Sequence, residues 1–491
     1  MKNRLRGILA AAALASTVFV YAENAYGLPE NIKDGNILHC FDWKFTDIKK
    51  EMENIAEAGF CAVQISPIQR NIPSGYIWYD LYRPYDYKYW SNGLGNDTQL
   101  KSMIEEADKY GIKIIADVVF NHVDKDLNHA NWWKESDRLR SSTSYINYGN
   151  RTSITHDLLG DYPDVNTENP DVIARAKEYI EELKGMGIRG VRFDAAKHIG
   201  LPSEGSDFWK EVTSVPGMFY YGEILGTPGG SNANDLMKEY SEYMFVTDDT
   251  YSQTARNSMG APSSEGNWST KGIDPAKIVY WGESHDEYAN EKDYGGVTKS
   301  VSQATIDKAF AILSCRNNGI GLYFSRPASN VTSNIKVGQK GSTHFTDPEI
   351  SEVNKFKNLM VGLPDCYTQS GSTACITREN GGAVIVTKSK NSNVNIENRN
   401  GYCPTGTYYD RVSGNEFIVT EDSITGKTGE TGIAVIYPEN YDAGVGDIME
   451  DDRIGEESWY TLQGIRVNEP TSPGIYIKYL PGGKTQKVLI R

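Results

Sequence analysis

The amino-acid sequence predicts an α/β protein built on a (β/α)8 barrel, with a subdomain inserted after the third strand and a C-terminal antiparallel β-sandwich domain. Apolar segments of strand length alternate with amphipathic helical segments through most of the chain. One long polar stretch interrupts this alternation, and the later part changes to short alternating strands separated by Gly, Asn and Ser. Alternating strands and helices are typical of parallel sheets, whereas short alternating strands are typical of antiparallel domains.

Eight apolar segments are the candidate strands of a closed TIM barrel. The third is almost uninterrupted in its apolar residues, which predicts a strand buried on both faces of a parallel sheet. Helical patterns ending at glycine lie between several of them, as from Asn96 to Tyr110. The candidate strands are residues 36–41, 60–66, 113–120, 188–193, 218–223, 243–248, 277–283 and 320–324.

Changes of composition divide the chain into segments. The first 22 residues have a charged start, an apolar run and a small-residue end, which is typical of a secretory signal peptide. A long polar loop is uncommon unless it is functional, so residues 123–164 are interpreted as an inserted subdomain. We predict a signal peptide at 1–22, the barrel at 23–122 and 165–355, the inserted subdomain B at 123–164, a β domain at 356–440, an acidic linker at 441–458 and a small β module at 459–491.

The charge of the chain limits its partners. Its 491 residues carry a formal net charge of −15, so nucleic acid and anionic membranes would be repelled. A neutral sugar would not be, and 31 Tyr and 9 Trp provide rings that suit sugar faces. The signal peptide predicts a secreted protein, with the extracellular space, the periplasm and the cell surface all left open. No later segment is apolar enough to span a membrane.

Six cysteines are present, and export would permit disulfides. Cys366 and Cys375 flank a short turn and are candidates for a bridge, while Cys403 has no obvious partner. The chain contains no CxxC motif, so no cysteine metal site is predicted.

Polar and charged side chains follow four of the predicted strands. The fourth strand delivers Arg192 and Asp194, which point to the same side because they are two residues apart. The guanidinium is expected to depress the pKa of Asp194 and keep it ionised, as a carboxylate nucleophile requires. Glu223 and Asp286 end two further strands, and the carboxyl ends of barrel strands face one site. Enzymes that cleave glycosidic bonds use one ionised carboxyl group and one protonated carboxyl group.

With these motifs, the chain resembles the α-amylases of glycoside hydrolase family 13, and is most similar to the bacterial saccharifying type. The resemblance covers residues 36–437. It is carried by Asp117-Val-Val-Phe-Asn-His122, Gly190-Val-Arg-Phe-Asp-Ala-Ala-Lys-His198, Gly222-Glu-Ile-Leu225, Glu283-Ser-His-Asp286, Pro163-Asp-Val-Asn166, Trp78-Tyr-Asp-Leu-Tyr-Arg-Pro84 and Phe324-Ser-Arg-Pro327.

The resemblance implies a retaining mechanism, in which Asp194 is the nucleophile, Glu223 the general acid and base, and Asp286 a stabiliser of the transition state. Such a mechanism needs the carboxyl groups of Asp194 and Glu223 about 5–5.5 Å apart on one rim of the barrel. The residues implied to bind the sugar are Trp78, Tyr79, Tyr82, His122, Arg192, Lys197 and His285.

The resemblance also implies a Ca²⁺ ion between the inserted subdomain and the barrel. Its ligands would be the side chains of Asn121 and Asp164 and the backbone carbonyls of His198 and Thr155, an oxygen-only set that suits calcium. Two positions depart from the family. Ser284 replaces an asparagine that binds chloride in some members, which predicts no chloride dependence, and Arg83 replaces a glutamine common beside Tyr82.

These observations together predict a secreted, monomeric, endo-acting hydrolase of α-1,4-glucosidic bonds in starch and related glucans. A transglycosylating or α-1,6-acting member of the same family is one alternative, since loop shape decides these outcomes. A non-catalytic glycan-binding surface protein is another. The module at 459–491 resembles terminal modules of exported proteins, some of which are sorting signals. A packing module and a starch-binding patch remain open for it.

Overall fold

The structure is a computed structural model that describes residues 26–71, 77–126, 131–266, 272–290, 297–327 and 335–438, together with strand segments between 458 and 490. The predicted signal peptide and all but the last residue of the predicted linker lie outside the described residues. The strands are β1 (Ile37–Cys40), β2 (Ala62–Ile65), β3 (Gln69–Arg70), β4 (Asp86–Tyr89), β5 (Lys113–Val119), β6 (Gly190–Asp194), β7 (Phe219–Gly222), β8 (Phe245–Thr247), β9 (Ile278–Trp281), β10 (Ile320–Phe324), β11 (Asp365–Ser370), β12 (Thr373–Arg378), β13 (Ala383–Thr387), β14 (Asn393–Glu397), β15 (Gly406–Tyr409), β16 (Glu416–Val419), β17 (Ser423–Lys427), β18 (Ile433–Ile436), β19 (Ser458–Thr461), β20 (Arg466–Val467), β21 (Gly474–Leu480) and β22 (Lys484–Ile490).

Helices pack around and between these strands. Among the described residues, no helix combines the length and the apolarity needed to cross a bilayer. The α-helices are α1 (Phe45–Glu57), α2 (Asp97–Tyr110), α3 (Arg151–His156), α4 (Pro170–Gly185), α5 (Phe208–Val212), α6 (Ala233–Tyr243), α7 (Asp249–Asn257), α8 (His285–Ala289), α9 (Gln303–Ser314) and α10 (Pro348–Leu359).

Eight parallel strands close the barrel in the order β1-β10-β9-β8-β7-β6-β5-β2. Each corresponds to one of the eight predicted segments, so the predicted fold class is confirmed. The third predicted strand, β5, pairs in parallel with β2 and β6 and is buried along nearly its whole length, as its apolar run predicts. The residues that follow the carboxyl ends of these strands therefore meet at one rim.

Local sequence explains where the barrel helices begin and end. Asn96 caps α2 through a hydrogen bond from the Gln99 N–H, and the Gln99 side chain returns a bond to the Asn96 backbone. Gly111 ends the helix at φ 74°, a left-handed conformation that glycine adopts without strain. Asn169 caps α4, whose first residue is Pro170, where the missing N–H costs no helical bond.

The described residues between β5 and α4 hold little regular structure. They include a 3-10 turn at Asn131–Lys134 and the short helix α3. The buried Trp133 donates its indole N–H to the Tyr85 carbonyl at 2.7 Å, which anchors the turn to the barrel loop before β4. The Val165 N–H returns to the Asn121 carbonyl at 3.0 Å, so the two ends of the segment lie side by side.

Two four-stranded antiparallel sheets follow the barrel, β11-β12-β13-β18 and β14-β17-β16-β15, consistent with the predicted β-sandwich. Helix α10 continues to Leu359, so the predicted boundary at residue 356 falls inside this helix. The strands β19 to β22 form another four-stranded antiparallel sheet in the order β20-β19-β21-β22.

The candidate bridge between Cys366 and Cys375 does not form, and the six cysteines are free thiols. In the β11–β12 pairing, Cys366 lies opposite Thr377 and Cys375 lies opposite Thr368. Cys375 instead packs with Cys403 in the apolar core between the sheets. The two turn-flanking cysteines are therefore out of register with one another, which the sequence spacing did not reveal.

Arg378 joins the β domain to the barrel. Its side chain is fully buried, at 1% exposure, and donates to the backbone carbonyls of Cys315, Leu363 and Met360. These carbonyls follow the ends of α9 and α10, where helical carbonyls lack intrahelical partners. A guanidinium can satisfy several carbonyls at once because it has five N–H donors in a plane.

Replacing Arg378 by Met should lower the free energy of unfolding by about 3–5 kcal/mol, because three carbonyls lose a charged, buried donor. Urea unfolding followed by circular dichroism measures this change. Lys390→Ala is the matched control, since its ion pair with Glu430 is 69% exposed on both sides and its loss should leave the free energy of unfolding nearly unchanged. Equal stability of the two variants would contradict the joining role of Arg378.

Candidate active site

A cleft of about 1050 Å³ opens at the carboxyl ends of the barrel strands. All predicted catalytic residues line it, and so do all predicted substrate-binding residues except Arg192. Tyr148 and Tyr162 of the inserted segment and Leu225 also line it, and sequence reasoning missed them. Leu225 ends the motif Gly222-Glu-Ile-Leu225, whereas the two tyrosines belong to no motif and reach the cleft only through the path of the long loop.

Arg192 lies at the floor of the cleft and contacts three carboxyl groups. Its Nη1 is 2.8 Å from Asp117 Oδ1 and 2.9 Å from Asp194 Oδ1, and its Nη2 is 2.5 Å from Glu223 Oε1. Arg192 is buried, at 4% side-chain exposure, so water screens these contacts weakly. The two carboxyl groups predicted to act on the substrate, Asp194 and Glu223, therefore share one cation on one rim.

Asp117 is the residue of this network that the predicted site lacks. It lies within the apolar strand β5, is completely buried, and accepts from Arg192 and from the Tyr82 hydroxyl at 2.8 Å. The sequence does carry a signal for Asp117, because it is a charged residue in the middle of an apolar strand, and a buried charge needs a partner. Asp117 therefore fixes the position of the Arg192 guanidinium through hydrogen bonds from within the barrel.

Backbone geometry orients Glu223. It follows β7 directly, and its N–H bonds to the Phe193 carbonyl of β6 at 2.9 Å. Its Oε2 accepts from the Ala195 N–H at 3.1 Å, and Ala195 has a φ of 50° that turns this N–H towards it. A side chain at the preceding Gly222 would come within 2.4 Å of the Met244 sulfur, so the turn requires glycine.

Burial raises the pKa of Asp194, and Arg192 acts against this rise. Burial also raises the pKa of Glu223 and, well above its usual range, that of Asp286. The expected depression of the Asp194 pKa is therefore wrong. One guanidinium divided among several buried carboxyl groups does not offset the loss of water around each. The carboxyl groups titrate as a set, in which not all can be ionised together.

Neutral histidines and aromatic rings surround these carboxyl groups. Burial lowers the pKa of His122 to about 4 and that of His285 well below its usual range, so both rings are uncharged at neutral pH. The Tyr82 ring stacks on His285, with centroids 5.5 Å apart and 14° between the planes. Trp78 packs edge-on against Tyr79, at 5.6 Å, and against Tyr82, at 5.9 Å.

Lys197 lies beside Glu223 in the cleft. Its Nζ donates to the Leu225 carbonyl at 2.9 Å and lies 5.0 Å from the centroid of the half-exposed Tyr148 ring. The positive charge of Lys197 lowers the pKa of Glu223, although burial of that carboxyl group has the larger, opposite effect. Lys197 and Tyr148 therefore flank the proton donor that the sequence predicts.

Asn121 and Asp164, two of the residues predicted to hold calcium, lie side by side where the two ends of the inserted segment meet. Asn121 Nδ2 and Asp164 Oδ2 are buried and have no hydrogen-bond partner, and His122 forms a β-bridge with Asp164. Burial raises the pKa of Asp164 to about 8. Arg140 Nε lies 3.0 Å from Asp164 Oδ2 without hydrogen-bond geometry. The Asp164 carboxylate and the Asn121 side-chain oxygen are of the ligand type that a hard cation prefers, and a cation held there would share Asp164 Oδ2 with Arg140.

The two predicted carbonyl ligands are also brought near one another. Helix α3 packs against the turn that holds His198. The His198 Nδ1 contacts the carbonyl of Ile154 at 3.0 Å, one residue before the predicted Thr155. Thr155 Oγ1 contacts the carbonyls of Arg151 and Thr152 within its own helix.

A second group of side chains within the described residues has the spacing of a metal site. Ligand atoms of Asp307, His344 and Glu349 lie within 4.8 Å of one another. The His344 Nε2 is 2.9 Å from Asp307 and its Nδ1 is 2.6 Å from Asp347. The bond to Asp307 raises the pKa of His344 to about 9, so at neutral pH both ring nitrogens carry protons rather than offer lone pairs.

Comparison with known proteins gives an independent view of this arrangement. A family model described as the alpha amylase catalytic domain matches residues 28–153. A Clostridium acetobutylicum α-amylase is 30% identical over 87% of this chain and 57% of its own length. A Butyrivibrio fibrisolvens α-amylase is 29% identical over 84% of this chain and 48% of its own length. The chain thus spans about half the length of these relatives.

Solved structures show the same fold. A maltohexaose complex of a variant of α-amylase I from Eisenia fetida has a TM-score of 0.67 and 18% identity, covering 84% of this chain and 98% of that one. An α-amylase from Malbranchea cinnamomea has a TM-score of 0.66 and 18% identity, covering 85% of this chain and 99% of that one.

His344→Gln should lower the free energy of unfolding by about 2 kcal/mol at pH 6, because a protonated ring held by two carboxylates is lost and a quarter of the ring is exposed to screening solvent. The folded pKa, about 9, lies above the ordinary value of 6.5, so this stabilisation is complete below pH 6.5 and disappears as pH rises through 9. Urea unfolding of both proteins from pH 6 to pH 10 measures the difference. A difference in free energy of unfolding that stays constant with pH would contradict a protonated His344 held by two carboxylates.

Proposed function

Because this chain carries an α-amylase catalytic domain, we propose that it is a secreted enzyme that hydrolyses internal α-1,4-glucosidic bonds of starch and related glucans with retention of configuration. The observation that supports the proposal most is the sharing of Arg192 by Asp194 and Glu223 at the floor of an aromatic cleft. Two carboxyl groups so close together can act on one bond from two sides.

In the proposed reaction, the Asp194 carboxylate attacks the anomeric carbon as the bond to the leaving oxygen breaks, and Glu223 gives its proton to that oxygen. Glu223 then takes a proton from water, which attacks the same carbon and releases Asp194. Burial and the charge of Asp194 raise the pKa of Glu223, which keeps its proton available for the first step, while the hydrogen bond from Arg192 favours the ionised form of Asp194. Asp286, beside Glu223, stabilises the positive charge that develops on the sugar.

The surrounding residues bind and orient the glucan. The platform of Trp78, Tyr79 and Tyr82 gives the sugar an apolar face, and the neutral rings of His122 and His285 offer hydrogen bonds without adding charge. Lys197, beside Glu223, binds the leaving-group side. We propose that the protein acts as a monomer and reaches the cell exterior through the signal at 1–22.

Asp194→Asn and Glu223→Gln should each reduce the release of reducing sugar from soluble starch by about 10²–10⁴-fold or more. The first removes the nucleophile and the second removes the general acid and base. Calorimetric titration with maltohexaose should still show binding. Asp207→Asn, at an exposed position, is the matched control and should retain activity.

Product analysis separates the alternatives. Following anomeric configuration by NMR on amylose should show the α-anomer first. Abundant transfer products from maltotriose, or panose from pullulan, would indicate the transglycosylating or α-1,6-acting alternative. Absence of any turnover in wild type supplied with calcium, with binding retained, would indicate a glycan-binding protein instead.

Calcium is proposed to bind the side chains of Asn121 and Asp164 and the backbone carbonyls of His198 and Thr155, where it would neutralise the buried carboxylate and tie the inserted segment to the barrel. Chelation with EGTA should then lower the melting temperature by several degrees, since a ligand at a hundredfold its Kd stabilises by about 2.7 kcal/mol. Added calcium should restore it, and magnesium at the same concentration should not. Asp164→Asn should show no calcium response; a wild type indifferent to EGTA would refute the site.

A further inference from the structure

Arg151 joins the inserted segment to the rim of the barrel, and the proposed chemistry does not use it. It is the first residue of α3, and its side chain is only 10% exposed. Its Nη1 donates to the backbone carbonyl of Lys197, after β6, at 2.5 Å and to that of Pro228, after β7, at 3.1 Å. Glu204 accepts from Nε and Nη2, at 2.7 and 2.8 Å. One guanidinium therefore holds two neighbouring loops of the rim.

Every donor of this guanidinium is engaged. An arginine side chain has five N–H donors, and the remaining donor of Arg151 binds the Tyr240 hydroxyl, which is 2.9 Å from Nη2. The Tyr240 hydroxyl donates in turn to the Ile199 carbonyl at 2.5 Å, two residues after Lys197. A planar fork with all its donors bonded has one orientation, so it can fix the backbone that it contacts.

The two loops that Arg151 holds carry Lys197 and Glu223. The Lys197 side chain crosses from one loop to the other, where its Nζ donates to the Leu225 carbonyl at 2.9 Å. Its Nζ also lies 5.0 Å from the centroid of the Tyr148 ring, three residues before Arg151. The charge of Lys197 lowers the pKa of Glu223 against the larger effect of burial. The position of this charge therefore depends on the spacing of the two loops.

The loop after β7 lies directly against α3. A Cβ at Gly229 would lie 2.3 Å from the Ile154 side chain, and one at Gly230 would lie 3.1 Å from Arg151 Cβ. Both glycines have a left-handed backbone, with φ of 83° and 79°, which other residues adopt only with strain. This close approach brings the Pro228 carbonyl to the Arg151 guanidinium. The spacing of the rim loops is thus set at α3.

We propose that Arg151 is a positioning residue that fixes the backbone carbonyls of Lys197 and Pro228 and thereby holds the Lys197 ammonium where the leaving part of a glucan binds. This inference rests on the proposed function, in which Lys197 binds the leaving-group side. Arg151 itself does not line the cleft. A binding group displaced by about 1 Å can cost a large factor in rate. Substrates that leave as glucose chains should therefore depend on Arg151, and substrates with a compact leaving group should not.

The test compares maltohexaose, which leaves as glucose units, with nitrophenyl α-maltotrioside, which releases a compact aryl group. Arg151→Gln should lower kcat/KM for maltohexaose by roughly tenfold and that for the aryl glycoside by less than about twofold. Arg151→Lys keeps the charge without the fork and should give a smaller fall. Equal losses on both substrates, as a merely structural role predicts, would overturn the proposal. Thermal unfolding checks that each variant folds, and Arg151→Lys carries the test if Arg151→Gln does not.

Arg138→Gln is the matched control. Arg138 also belongs to the inserted segment, and its side chain is 11% exposed. It donates to the Trp132 carbonyl at 2.8 Å and to Asp171 of α4 at 2.8 Å, so its contacts tie the segment to a barrel helix rather than to the two rim loops. Its ratio of the two kcat/KM values should match wild type. A fall as large as that in Arg151→Gln would overturn the proposal, because loosening of the segment would then explain both.

A binding cycle keeps this inference separate from the proposed function. In an Asp194→Asn background, which removes turnover, Arg151→Gln and Lys197→Met should each weaken the calorimetric affinity for maltohexaose by about tenfold. Because Arg151 acts through Lys197, both substitutions together should also weaken it by about tenfold, whereas independent effects would give about a hundredfold.

Unchanged affinity in Arg151→Gln, or independent effects in the cycle, would overturn the role of Arg151 whether or not the wild-type protein hydrolyses starch. Wild type that shows the coupling but releases no reducing sugar from either substrate would instead overturn the hydrolase and leave the role of Arg151 standing.

Discussion

The ion network of Arg192 is the interaction on which the rest of the site depends. One guanidinium, buried at the floor of the barrel, contacts Asp117 from β5, Asp194 from its own strand and Glu223 from the end of β7. It is the shared counter-charge of three neighbouring strands. Without it, the buried carboxyl groups would be neutral or would repel one another, and the ionised carboxylate that nucleophilic attack needs would be unfavourable.

The rim of the barrel is held in place by ion pairs that do not line the cleft. Glu283, at the end of β9, is buried against Arg326, which also donates to the carbonyls of Thr298 and Val301. Arg256 pairs with Glu287 in α8 and donates to the Gly282 carbonyl. These contacts fix the turn that presents His285 and Asp286. In the motif Glu283-Ser-His-Asp286, Asp286 therefore faces the cleft and Glu283 holds the loop.

The inserted segment contributes a wall rather than a catalytic group. Tyr162 stacks on His122, Tyr148 lies over Lys197, and the buried Trp133 fastens the segment to the barrel loop. These contacts cross long sequence separations and involve common residue types. Arg378 also acts across a long sequence separation, because its guanidinium donates to backbone carbonyls that follow two helices. Such residues look ordinary in a sequence because their role lies in which backbone ends they reach.

Sequence alone determined the eight strands and placed Asp194, Glu223 and Asp286 together at the mouth of the barrel. Hydrophobic periodicity is a local property, and parallel strands joined by helices must point their carboxyl ends the same way. The tertiary structure decided what depends on distance between remote residues. It reversed the expected shift of the Asp194 pKa, set Cys366 and Cys375 out of register, brought the Ile154 carbonyl to His198 and placed the Arg151 guanidinium against two rim loops. Burial and electrostatic coupling arise only when the whole chain has packed, so no local pattern encodes them.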